Sequence, residues 1–346
     1  MDAALGGGLG SAIAVSVGDA RSERCRVVRG HLWRVPSLGP EVGVGAWFDL
    51  ASLTKPMVTV AVAMVLVDQG RLELGAPVRR WLPDAATEGS VAQLLGHAAG
   101  CAAHVRFFEQ LGAGGDDARA ALLQLARRHP VAAAGGASVY SDLGYLQMGE
   151  VLERVGGARL DALFTELVAQ PLGLRARFVD LTDPRARLEA VVATELVPEG
   201  LVIGVVHDEN ARAGGGVFGH AGLFGRVEDV AEFARGMLAL EGPGGLVRSS
   251  TARAFFETAP GGGSWRLGWD TPSATRGTSH AGDLWPRRGV LGHLGFTGCS
   301  LWLELARGRW VAILSNRVHP SREGSAEGIK QLRRDVMDAA WRILEG

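Results

Sequence analysis

The run from Met57 to Val67 is apolar at almost every position and is closed only by Asp68 and Gly70. A helix that is hydrophobic all round has no face for water, so the rest of the chain must wrap it. Pro56 is tolerated only in the opening turn of such a helix, and Gly70 supplies a C-terminal cap. The expected element is therefore a buried central helix, entered from the stretch "FDLASLTKP".

The flanking patterns say what does the wrapping. Near the N-terminus, "SAIAVSV" and "CRVVRGHLWRV" are β-branched runs separated by the turn-prone "GDARSE", which predicts a hairpin. Near the C-terminus, "LWLELARGRWVAILSN" predicts a second hairpin turning at Arg307-Gly308. The last helix should then lay Ile329, Leu332, Val336, Ala340 and Ile343 on that sheet as one stripe. Between the ends come helical pieces in Gly/Pro-rich loops, with no clear strand pattern from Ala76 to Arg226 and Gly clusters at 6–8, 112–115 and 261–263 that read as loops. The expected class is α/β of the α+β kind: one catalytic domain over 1–346, in which 1–75 and 227–346 form a sheet-containing lobe and 76–226 a mainly helical lobe.

Composition removes several function classes. With 36 basic and 37 acidic residues the net charge is -1, which gives no electrostatic reason for a nucleic-acid partner. No apolar run reaches the roughly 20 residues of a membrane span. Cys25, Cys101 and Cys299 are isolated and lack metal or disulfide spacing. The N-terminus has no basic residue opening an apolar stretch, so a cytoplasmic location is the default expectation.

Only Lys55 and Lys330 among the 36 basic residues are lysine, the others being arginine. With 17 serines in the chain, composition alone gives about 0.1 chance occurrences of Ser-x-x-Lys. Ser52 and Lys55 form one. At a helix start they would share a face, and a lysine, unlike an arginine, can lose its proton and serve as a base to the hydroxyl. A capping serine with a snorkelling lysine is the competing explanation of the same four residues. "VYSDLGY" offers the Tyr140 phenol and the Asp142 carboxylate on one loop, where a core tyrosine before a capped helix is the alternative. "GHLGFTG" brings His293 and Gly295 to a strand edge where a backbone can approach a ligand.

Taken together and in this order, these stretches resemble the serine β-lactamase and penicillin-binding protein superfamily, specifically its class C β-lactamase-related branch of esterases, peptidases and lactamases. "GRLELGAPVRRWLPD", "LLGHAAG", "VHDENA" and "GHAGLFGRVEDVAEFA" extend the likeness over most of the chain. The resemblance implies a β-lactamase/transpeptidase-like fold, an antiparallel sheet flanked by helices with an inserted helical lobe. It implies Ser52 as acylated nucleophile, Lys55 as proton acceptor and Tyr140 as second acid/base. The backbone N–H groups of Ser52 and Phe296 would form the oxyanion hole.

Two positions depart from the lactamase pattern. Asp142 stands where the family often has Asn, and His293 where lactamases have the Lys of Lys-Thr-Gly. A carboxylate beside Lys55 favours its charged form, and a histidine is mostly neutral at pH 7. The implied activity is an ester or amide hydrolase with an acyl-enzyme, ahead of a D-amino-acid peptidase or β-lactamase. A non-catalytic penicillin-binding or scaffold module is the alternative outside enzymology. His207, Asp208 and Asn210 are expected to line the cleft with Asp142, His293 and Gly295, and their spacing matches no compact metal motif. No cofactor is expected, and the expected partner is a small ester, amide or lactam. His97, His104 and His129 read as structural.

Overall fold

The computed structural model describes residues 1–111, 116–183, 185–239 and 245–346. The Gly cluster at 112–115 lies outside them. The chain opens with α1 (Asp2–Gly6), β1 (Ala12–Asp19) and β2 (Glu23–Gly30), then β3 (Phe48–Asp49). A 3-10 turn (Ala51–Leu53) and a π-helical turn (Lys55–Val60) lead into α2 (Ala61–Asp68). The middle holds α3 (Val91–Leu95), α4 (Asp116–Arg128), α5 (Asp142–Gly156), α6 (Leu160–Phe164), β4 (Arg177–Phe178), β5 (Leu196–Val197), β6 (Gly200–Leu201), α7 (Glu209–Ala213) and β7 (Leu223–Gly225). The chain ends with α8 (Val227–Leu238), α9 (Ser249–Glu257), β8 (Val290–Leu294), β9 (Ser300–Glu304), β10 (Arg309–Ser315) and α10 (Ala326–Glu345).

The main sheet is antiparallel in the order β2-β1-β10-β9-β8, so the first hairpin pairs directly with the last strand. The register runs from Ile13 opposite Ser315 to Asp19 opposite Arg309. β1 is buried on both faces and therefore has no polar alternation. Ile13, Val15, Val17, Val311 and Ile313 pack under α10, while Ala12, Ala14, Ala312 and Leu314 join the core shared with α2 and α8. On α10 the expected stripe is changed in its last turns: Ile329, Leu332 and Ala340 are buried, Ile343 is 48% exposed, and Arg333 and Met337 take interior places. The expected stripe did not include Arg333 or Met337.

From Met57 to Leu66 the central helix is enclosed on every side. The segment Ala51–Asp68 is apolar enough to pass as a membrane span by composition, yet 83% of it is buried within the protein. The middle region also departs from expectation, because β3, β7 and β4 form a small sheet and β5 and β6 a two-stranded one. Strands of two or three residues are too short to leave a period-2 pattern. β3 immediately precedes the Ser52 turn, and its partner β7 follows the His220 loop, so this small sheet sets two walls of the cleft side by side.

Candidate active site

The chain turns sharply from β3 into the 3-10 turn. Ala51 has φ 48°, a left-handed conformation that costs a residue with a Cβ on the order of 1 kcal/mol. The buried Asp49 carboxylate holds this turn, accepting from Ala51 N–H at 2.8 Å and from His207 N–H at 2.6 Å. Ser52 therefore projects from a strained, fixed turn into a cleft of about 820 Å³.

One turn on, Lys55 is fully buried and all three of its ammonium hydrogens are used. Nζ donates to Ser52 Oγ at 3.1 Å, Asp142 Oδ1 at 2.7 Å and the His220 carbonyl at 3.1 Å. Burial alone would lower its pKa, but the Asp142 carboxylate and the Tyr140 hydroxyl outweigh that and hold it above the ordinary lysine value. Asp142 is correspondingly held far below the usual carboxylate range against its own burial. In the resting site the pair is ammonium and carboxylate.

Tyr140 ends the loop before α5. Ser141 caps that helix, accepting from Gly144 N–H at 3.0 Å and donating to the Ala102 carbonyl at 2.6 Å. His97 Nδ1 accepts the Ser141 N–H at 3.1 Å, and the His97 and Trp265 rings lie 4.8 and 5.4 Å from the Tyr140 ring. His97 and Trp265, whose centroids are 4.5 Å apart, thus pack together against the phenol ring. Its hydroxyl faces both Ser52 and Lys55, and burial raises its pKa while the Lys55 charge opposes the rise. Lys55 Nζ also lies 4.7 Å from the ring centroid.

The opposite wall is the end of β8. Gly295 crosses so close to the Ser52 turn that a Cβ there would meet the Leu50 carbonyl oxygen at 2.7 Å. Immediately after it, the Phe296 N–H has no acceptor among the described residues. A hydroxyl, a paired lysine, a packed phenol and a free strand-edge N–H therefore converge on one cleft.

A family model described as Beta-lactamase matches residues 7–333. The chain belongs to the Beta-lactamase family. Among its relatives, the putative D-alanyl-D-alanine carboxypeptidase of Escherichia coli strain K12 is 27% identical over 304 residues, covering 80% of this chain and 70% of that protein. The corresponding protein of Salmonella agona is 27% identical over 301 residues, with 79% and 69% covered. Among solved structures, EstCE1, a hydrolase with promiscuous acyltransferase activity, superposes with TM-score 0.76 at 22% identity over 97% of this chain and 96% of that one. The octameric penicillin-binding protein homologue from Pyrococcus abyssi gives 0.74 at 18%, covering 97% and 76%. These likenesses establish the β-lactamase/transpeptidase-like fold.

In this Beta-lactamase family member the two departures have clear local consequences. Asp142 pairs with Lys55 as above. His293 is buried, and its Nδ1 lies 2.9 Å from the Leu294 carbonyl, an arrangement that requires the proton on Nδ1. Burial and then the nearby Lys55 charge push its pKa down to about 3. Its Nε2 is a lone-pair acceptor without a partner among the described residues. A neutral imidazole therefore stands at this position.

The remaining expected residues separate. His207 and Asp208 line the cleft. His207 Nε2 contacts Glu195 at 2.8 Å, and its ring stacks 5.7 Å from Phe296. Asp208 caps α7 through Ala211 N–H and contacts His220 Nε2 at 2.9 Å. Asn210 does not reach the cleft: it is buried, accepting from Phe108 N–H at 2.9 Å and donating to the Val105 carbonyl at 2.8 Å. It holds the 105–108 loop instead of a ligand. His104, expected to be structural, lines the cleft with Nδ1 3.4 Å from Asp142 Oδ2, and that carboxylate raises its pKa. Nothing in its local sequence distinguishes it from His129.

His104, Asp142 and Asp208 bring ligand atoms within 4.8 Å of one another. A metal ion there would share Asp142 with the Lys55 ammonium, only 2.7 Å from that carboxylate. The lysine already supplies the charge this group needs.

Proposed function

We propose that the protein hydrolyses an ester or amide carrying a small acyl group, through an acyl-enzyme on Ser52. The observation that carries this reading is Lys55 Nζ bridging Ser52 Oγ and Asp142 beneath the Tyr140 hydroxyl. Ser52 Oγ attacks the substrate carbonyl as its proton passes to the Tyr140–Lys55 pair. The oxyanion takes the Ser52 and Phe296 N–H groups, each such donor contributing about 3 to 4 kcal/mol to the transition state. On collapse the leaving group departs with the proton, and water, activated by the same pair, releases the acid. Because Asp142 keeps Lys55 charged, the reactive form is the minor deprotonated one at neutral pH.

A peptidase acting on peptides ending in D-alanine is the second reading, supported by what the bacterial relatives are called. Efficient β-lactamase activity is disfavoured by the neutral His293, which offers a lactam carboxylate no charge. The test is hydrolysis of p-nitrophenyl acetate and butyrate, with intact mass after a fluorophosphonate probe, alongside nitrocefin and D-alanine-terminated peptides. Wild type should turn over the esters and gain the probe mass, and Ser52→Ala should do neither. If the two proteins behave alike in both assays, the reading is wrong.

A further inference from the structure

The hydrolytic scheme uses only one of the two Asp142 carboxylate oxygens. Oδ1 takes Lys55 Nζ at 2.7 Å, while Oδ2 has His104 Nδ1 at 3.4 Å. The two partners differ in their access to water: Lys55 is fully enclosed, whereas the His104 side chain is 41% exposed on the cleft wall. One carboxylate therefore joins a buried lysine to a histidine that exchanges protons with solvent. The backbone fixes this arrangement, because the Asp142 N–H donates to the Ala103 carbonyl at 2.8 Å and the Ser141 hydroxyl to the Ala102 carbonyl at 2.6 Å. The His104 loop is thus tied to the start of α5, directly beside the carboxylate.

The other charged groups around His104 leave Asp142 as its direct partner. Asp208 and Glu209 face it from the start of α7, and an Asp208 oxygen comes within 4.8 Å of ligand atoms of both His104 and Asp142. Asp208 is taken by His220 Nε2 at 2.9 Å, and Glu209 by Arg322. Arg106, in the same loop, pairs with Glu109. The Asp142 hydrogen bond raises the pKa of His104 against its partial burial, which brings its titration close to neutrality. A carboxylate shared by two cations holds each less firmly than it would hold one alone, and the two cations also repel each other. Protonation of His104 and of Lys55 must therefore oppose one another through Asp142.

We propose that His104 is a positioning residue for the reaction base: its imidazolium, by sharing the Asp142 carboxylate with Lys55, makes the lysine proton easier to lose. This rests on the hydrolase reading for its connection to turnover, and on the shared carboxylate for its chemistry. As pH falls through the range in which His104 takes up its proton, Lys55 loosens its own. The rate should therefore fall less steeply there than a single lysine dictates, so that His104 preserves some of the base that acid would otherwise remove.

The coupling can be read without turnover by NMR titration of the His104 imidazole, assigned among the nine histidines by its loss in His104→Gln. Lys55→Met leaves Asp142 to His104 alone and should raise the His104 midpoint by about half a pH unit or more, while Asp142→Asn should lower it by a similar amount or more. In kinetics with p-nitrophenyl butyrate, His104→Gln should reduce kcat/KM at least about fivefold more at about pH 6 than at about pH 9, and this difference should vanish in the Asp142→Asn background, where His104 has lost its carboxylate. A His104 midpoint unmoved by Lys55→Met, or a His104→Gln profile that runs parallel to wild type at every pH, would overturn the proposal while leaving hydrolysis intact. Midpoints that move as expected in a protein that hydrolyses no ester would sink the hydrolase reading and leave the coupling standing. If Lys55→Met does not fold, the Asp142→Asn titration and the His104→Gln profile decide the matter, since His104 is half-exposed and its replacement leaves the core intact.

Discussion

Asp142 Oδ1 lies 2.7 Å from Lys55 Nζ, closer than the Ser52 hydroxyl at 3.1 Å. The carboxylate raises the lysine's pKa and so suppresses the neutral form able to accept a proton. Asp142→Asn removes the anion and should move the acid limb of the kcat/KM profile down by about one pH unit or more, raising activity near neutrality. A pH–rate series on p-nitrophenyl butyrate checks this, and an unmoved acid limb would remove Lys55 from the proton path.

Tyr140→Phe keeps the ring against which His97 and Trp265 pack and deletes only the hydroxyl facing Ser52. We expect kcat/KM to fall by about 10² to 10⁴ with the thermal midpoint nearly unchanged, the range for loss of a positioned acid/base. Steady-state kinetics and a melting curve suffice, and a loss below about tenfold would assign the phenol to packing.

Stability should weaken with acid through His293. Its folded pKa of about 3 lies below the ordinary histidine value of 6.5, so between these limits the unfolded chain binds the extra proton. The contribution is complete above pH 6.5 and is lost as pH falls toward 3. At pH 5 this residue alone accounts for about 2 kcal/mol of lost stability. Urea midpoints at pH 7 and 5 measure it, with His293→Asn expected to flatten the difference.

A Cβ on Gly219 would meet the Tyr145 carbonyl oxygen at 2.4 Å, where the loop before His220 crosses α5. Gly219→Ala should cost about 1 to 3 kcal/mol of stability. It should also lower kcat, because the displaced loop carries the His220 carbonyl that holds Lys55. Urea unfolding together with ester kinetics separates the two effects, and a variant with wild-type values in both would show that the loop gives way freely.

Much of the architecture was legible because it depends on repetition. The all-apolar run from Met57 predicted an enclosed helix, and the two β-branched hairpins predicted a sheet built from both ends. The small sheet of β3, β7 and β4 was illegible because two or three residues cannot display a period. In the site, Ser52, Lys55 and Tyr140 sit in short motifs whose residue types are chemically unusual together. His104 carries no such mark, since its place against Asp142 comes from what lies opposite it in space. Asn210 misled for the same reason: its neighbours His207 and Asp208 face the cleft, while Asn210, two residues past the Asp208 cap and about 200° round the helix, points the other way.

The pairing of β1 with β10 has a cost in time. Asn316 receives the N–H groups of Ser11 and Ala12 across 305 and 304 positions of sequence, so the sheet cannot close while the chain is still being made. At roughly 5 to 20 residues per second, the first hairpin waits about 15 to 60 seconds for its neighbour to leave the ribosome. Throughout that wait β1, a strand with no polar face, is an exposed edge, and it is the segment on which a chaperone would be expected to act.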